Sequence, residues 1–121
     1  SSLKKIFARE YGELIRALDR FGIPFAVCTI YYAQHEHFAP GERMELPDGV
    51  EWKGTDVAVD TFDSAIIAIS DAAENCREVI DMRLLFNRPE CYANPIEPSR
   101  IGGELIADRV VNFVRDMKPK S

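Results

Sequence analysis

The chain predicts an α/β domain in which helices alternate with short buried strands. Three observations carry this. Leu3, Ile6, Phe7, Tyr11, Leu14, Ile15, Leu18 and Phe21 recur at the three- and four-residue spacing of one helical face. Residues 25–31, from Phe25 to Tyr31, form a short apolar run rich in β-formers, as in a strand buried on both faces. The order continues helix, strand, helix, so the pattern is α-β-α-β-α. That alternation implies a parallel sheet covered on both faces.

Size and composition bound the function. With 121 residues the chain predicts a single domain over 1–121. A chain of this length buries roughly two thirds of its unfolded surface, enough for a core without disulfide staples. The net charge is −5 and there is no Lys/Arg cluster, which argues against nucleic acid or an anionic membrane as partner. No apolar stretch is long enough for a membrane span, and no signal peptide is visible. Cys28, Cys76 and Cys91 are odd in number, widely spaced and without a C-x-x-C pair. They predict reduced thiols in a reducing, cytoplasmic setting. No cofactor motif occurs and none is expected.

Each element has its own signals. The first helix, over 3–21, carries Lys4, Lys5, Arg9, Glu10, Glu13, Arg16 and Arg20 on its wet side. Gly22 stands where a C-cap belongs, and Pro24 prevents continuation. Residues 34–56 hold five of the fourteen Gly and Pro residues and predict an expanded loop, which at this length is functional or disordered. Within it, the turn Pro47-Asp48-Gly49 between Met44/Leu46 and Val50/Trp52 predicts a small hairpin. Phe38 and Trp52 would be buried by that hairpin or line a lid.

Residues 57–76 return to helical spacing through Val59, Phe62, Ile66, Ile69 and Ala73, with Asp60, Asp63, Asp71 and Glu74 on the wet face. Residues 79–83 read as the second strand, continued by Leu84, Leu85 and Phe86 as a hydrophobic step. Asp81, between Ile80 and Met82, predicts a buried, hydrogen-bonded carboxylate that fixes a neighbouring loop. After a Pro/Asn-rich loop over 87–98, Ser99 caps the last helix, over 99–117. Ile106, Val110, Phe113, Val114 and Met117 share one face of it. Gly102 and Gly103 would let its first turn approach a neighbouring backbone. Two strands alone leave unpaired edges, so the chain reads as half of a doubly wound domain.

The stretch Asn94-Pro95-Ile96-Glu97-Pro98-Ser99-Arg100-Ile101-Gly102-Gly103 resembles the loop that precedes the last helix in SGNH/GDSL hydrolases. Residues 25–31 and 79–83 resemble that family's fourth and fifth strands. The resemblance covers most of the chain except 34–56, and it rests on the closing loop. It implies a three-layer, flavodoxin-like parallel sheet of which this chain is the C-terminal portion. It also implies hydrolysis of a small acyl ester by a Ser nucleophile in a G-D-S motif, with a D-x-x-H loop supplying the Asp and His of the triad. Here the Asp position falls on Asn94 and the His position on Glu97, and no G-D-S occurs. A subset of the family shares the I-E-P-S-x-x-G-G form. The chain is therefore expected to be inactive alone, with the nucleophile on an N-terminal half of the same domain. The alternative is a non-catalytic module that completes its sheet with a second copy of itself.

Candidate site residues follow. Glu97 is a base or an active-site hydrogen-bonding post, or else a carboxylate favoured by a helix N-terminus. Asn94, before Pro95, is either the substituted Asp position or a turn-forming Asn. His35 and His37, with Glu42 nearby, are alternative bases or the start of a metal site, since their loop leaves the C-terminal end of a parallel strand. Two His without a nameable third ligand predict no metal site. A solvated loop is the simpler account of both.

Overall fold

The computed structural model describes residues 2–34 and 48–117. Its elements are α1 (Ser2–Asp19), β1 (Phe25–Cys28), α2 (Trp52–Asp71), β2 (Cys76–Ile80), a single-turn helix α3 (Met82–Leu85) and α4 (Arg100–Asp116), with a 3-10 turn at Pro89–Cys91. The two strands pair in parallel, with Ala26 opposite Glu78 and Cys28 opposite Ile80. The class is therefore mixed α/β, with four helices and a two-stranded parallel sheet among the described residues.

Local chemistry explains most boundaries. α1 ends at Asp19 in a turn over 20–22, and Gly22, with a left-handed φ of +68°, lets the chain leave that turn. Ser99 has extended backbone and accepts from the Gly102 amide, which caps α4. The strands enter the sheet through Asp19, whose carboxylate accepts from the Glu74 and Asn75 amides at 3.1 and 2.8 Å. Those bonds hold the Asp19 carboxyl below its usual range, the Asn75 amide contributing most. The Asn75 carbonyl in turn accepts from the Phe25 amide that starts β1.

Several expected boundaries are corrected: β1 ends at Cys28 rather than 31, α2 ends at Asp71 rather than 76, and β2 begins at Cys76 rather than 79. The second helix begins at Trp52, so Trp52 is not a hairpin strand; Met44 and Leu46 lie outside the described residues. The turn at Asp48 and Gly49 is present, with Gly49 at φ +81°, but it leads into a helix. β2 stops at Ile80 because Asp81 accepts from the Arg83 amide and starts α3 as its N-cap. Leu84 and Leu85 are consequently helical or helix-terminal rather than strand.

The core lies past the strand ends. Ile80, Met82, Phe86, Cys91 and Tyr92 are buried together, with Tyr31, Leu105 and Ile106 packed against them. Tyr31, Phe86 and Tyr92 form an aromatic trio with centroids 4.7 to 5.7 Å apart. On the other flank α1 packs on α2 through Phe7 edge-on to Phe62, and the Tyr11 hydroxyl bonds Ser70. The expected α1 face is only partly covered. Ile15 is buried, whereas Leu3, Leu14, Leu18 and Phe21 are exposed. Cys28, Cys76 and Cys91 are free thiols.

Candidate functional site

The C-terminal ends of β1 and β2 meet three segments: the chain after β1, the first turns of α2, and the loop before α4. Open parallel sheets place their ligands at this end. Two devices hold it together, one ionic and one aromatic.

The ionic device centres on Arg83. Its guanidinium reaches Asp81 through Nε and Nη2 at 2.9 Å each, and Asp60 through Nη1 at 2.9 Å. Asp63 Oδ2 lies 3.3 Å from Nε, an ion-pair contact without hydrogen-bond geometry. Asp63 Oδ1 accepts from the Ile30 amide at 2.7 Å. Thr29 links the strand ends: its hydroxyl donates to Asp81 at 3.0 Å and accepts from the Met82 amide at 2.8 Å. The Tyr32 hydroxyl bonds Asp60.

The charges respond as their surroundings require. Arg83 hydrogen bonds hold the Asp81 carboxyl below its usual range, and the Tyr32 hydroxyl, followed by Arg83, does the same for Asp60. Burial pushes Asp63 up, against the Ile30 bond and Arg83. Asp63 is fully buried, which corrects its expected place on the wet face of the helix. A carboxylate was able to occupy the apolar side because the end of β1 offers it a backbone amide. Asp60 stays exposed but is tied to Tyr32 and Arg83 rather than simply solvated. Asp81 does fix its neighbours as expected, but from just beyond the strand rather than inside it, and half-buried rather than buried.

The aromatic device fixes the closing loop. Tyr92 and Pro98 form an antiparallel bridge, and the Ala93 amide donates to the Glu97 carbonyl at 2.8 Å. The Asn94 side-chain oxygen accepts from the Ile96 and Glu97 amides at 3.0 and 2.8 Å, making a side-chain-closed turn. The Tyr92 hydroxyl donates to the Tyr32 carbonyl at 2.5 Å, and the Gln34 backbone N–H donates to the Pro95 carbonyl. Burial pushes the Tyr92 hydroxyl up to about 12. Gly102 makes the docking of α4 possible: a Cβ there would stand 2.2 Å from the Cys91 carbonyl oxygen. Gly103 has open space at the same point, so only one of the two glycines serves close approach.

Between these devices lies an apolar pocket of about 370 Å³. Ile30, Tyr31 and Ala33 line it from the segment after β1, Trp52 and Val59 from α2, and Ile96 from the closing loop. The Tyr31 hydroxyl donates to the Ile96 carbonyl at 2.7 Å. Burial raises that hydroxyl's pKa, and the neighbouring Glu97 carboxylate adds to the effect. Glu97 is thus exposed beside Tyr31, and Asn94 is spent on backbone amides.

His35, His37, Glu42 and Phe38 lie outside the described residues. Among the described residues no group of three or more His, Cys, Asp or Glu is arranged to hold a metal ion. No described helix is long and apolar enough to cross a membrane. The sequence reading missed Arg83 and the pocket. Arg83 carried no signal because a lone Arg as the last residue of an expected strand reads as a surface charge, and the pocket walls come from three separated segments. Comparison with protein-family models, curated proteins and solved structures returns no match.

Proposed function

We propose that this chain is the C-terminal portion of an SGNH-type, flavodoxin-like ester hydrolase, supplying the late strands, a substrate pocket and the loop at the active-site edge. The reading includes a cytoplasmic setting, in which the three free cysteines stay reduced. The observation that carries it is the position of the closing loop. Its Ile96 forms one wall of a pocket at the C-terminal end of a parallel strand, and Glu97, at the family's His position, sits beside Tyr31 of the same pocket. Glu97 is exposed and no hydroxyl nucleophile is paired with it among the described hydrogen bonds. In this reading the Ser nucleophile and the oxyanion donors are supplied by another segment of the same folded unit.

The test is covalent labelling. The protein as isolated from its source is treated with a fluorophosphonate, digested and mapped by mass spectrometry. The reading expects a labelled serine outside these 121 residues, in the same folded unit. No labelled serine in the intact unit, or a labelled serine within this chain, overturns it.

A second reading has its own support. Among the described residues each strand is paired on one side only, and the α1 stripe is uncovered. A non-catalytic module that covers both with a second copy satisfies these features. A native mass spectrum holding only two copies of this chain favours that reading, and one holding a further polypeptide removes it.

A further inference from the structure

We infer that the pocket between Tyr31, Trp52, Val59 and Ile96 takes an uncharged aliphatic chain, and that polar or charged groups are refused there. The wall chemistry leaves little else. Among the described residues no charged side chain lines the pocket. Its two hydroxyls are already committed: Tyr31 donates to the Ile96 carbonyl at 2.7 Å and Thr55 to the Trp52 carbonyl at 2.6 Å. A sugar hydroxyl or a phosphate would lose water and find, among the described residues, neither a charged side chain nor an uncommitted side-chain hydroxyl in return, which disfavours both. An alkyl chain loses no hydrogen bonds and gains burial against Ile30, Val59, Ile96 and the two aromatic rings.

Size limits the length. At about 370 Å³ the pocket is near the lower end of small-ligand sites, which run from about 300 to 1,000 Å³. A short or medium chain fits, and a long one projects into solvent. Each buried methylene should tighten binding by roughly fourfold until the pocket is full, after which further methylenes add little. Identifying this chain as the acyl half of an ester rests on the hydrolase reading. The preference for an uncharged alkyl group does not.

Trp52 is the only tryptophan of the chain and lines the pocket, so its fluorescence reports occupancy directly. The full chain is titrated with butanol, hexanol, octanol and decanol, with glucose and inorganic phosphate as polar controls. Saturable changes are expected for the alkanols, tightening by roughly fourfold per methylene and then levelling off, and none for the controls. Ala33→Phe, which fills the pocket, should weaken octanol binding by tenfold or more. Ala107→Phe, on the exposed surface of α4, should leave it unchanged. Circular dichroism checks that both variants fold.

Octanol binding that is absent, independent of chain length, or unaffected by Ala33→Phe when that variant folds overturns the inference. If Ala33→Phe does not fold, the chain-length series and the polar controls decide alone. The two readings fail separately. Alkanol binding without a fluorophosphonate-labelled serine removes the hydrolase and keeps the pocket, and a labelled serine without alkanol binding does the reverse.

Discussion

Two adjacent glycines in α4 carry opposite consequences. Gly102 faces the Cys91 backbone, where an added Cβ would lie 2.2 Å from the carbonyl oxygen and 2.9 Å from the Phe86 ring. Neither neighbour yields cheaply, since Cys91 and Phe86 are among the most deeply buried residues. Gly102→Ala should therefore cost about 3 kcal/mol, the upper part of the range for overpacking. Gly103 has nothing within 4 Å of the same position. There the change to Ala removes only the helix penalty of glycine and should stabilise by up to about 1 kcal/mol. Urea midpoints of the two variants check this, and equal effects would mean that α4 does not dock through Gly102. The sequence pattern already held the Gly-Gly pair and the Ser99 cap. It did not hold which glycine meets a backbone, because the partner, Cys91, comes from a Pro/Asn-rich loop without periodicity.

At the scale of elements, the strand exits are held by carboxylates of opposite electrostatic sense. Asp81 and Asp60 are below their ordinary range in the fold, through Arg83 and through Tyr32 with Arg83 respectively. Their stabilising contribution is present above the unfolded carboxyl value, about 4, and is lost as pH falls through the folded values. Asp63 is raised by burial, so its contribution runs the other way: it is least favourable at neutral pH and improves as pH falls toward about 4. Single substitutions separate the two. In urea titrations across the acid range, Asp81→Asn should flatten the loss of stability below about pH 4. Asp63→Asn keeps an acceptor for the Ile30 amide and should remove the gain between neutral pH and about 4. Identical profiles for both variants would show that Arg83 does not divide the carboxylates in this way.

The same elements show how far pattern reading reaches. α1 and α4 were legible to within two residues at each end, because Gly22 and Ser99 mark a stop and a start by backbone chemistry alone. The start of α2 was not, since Glu51 caps it without a side-chain bond and its first turn carries charged and small residues. Leu84 and Leu85 misled because a short apolar run has too little length to separate strand from helix. Asp63 was hidden for a different reason. Periodicity counts a carboxylate as polar, and only the fold brings the Ile30 amide to it.

For the whole molecule the question is what covers α1. Leu3, Leu14, Leu18 and Phe21 follow helical spacing on a stripe beside the one that packs on α2, and they are between 39% and 74% exposed. Soluble monomers seldom leave a contiguous apolar stripe of this kind in water. In the proposed hydrolase the rest of the domain covers it; in the module reading a second copy does. Either way the isolated chain has no intramolecular cover for these side chains among its described residues. Sedimentation of the isolated chain at tens of micromolar, an ordinary concentration for weak association, should then show more than monomer. Leu14→Glu with Leu18→Glu should return it to monomer without changing its circular dichroism, because neither residue packs in the core. Self-association that survives this double substitution would move the interface to the open strand edges, where parallel pairing of β1 or β2 with another strand needs no side chain of α1. A strictly monomeric wild-type chain would leave the stripe wet in water, and the case for a missing partner would then rest on the strand edges alone.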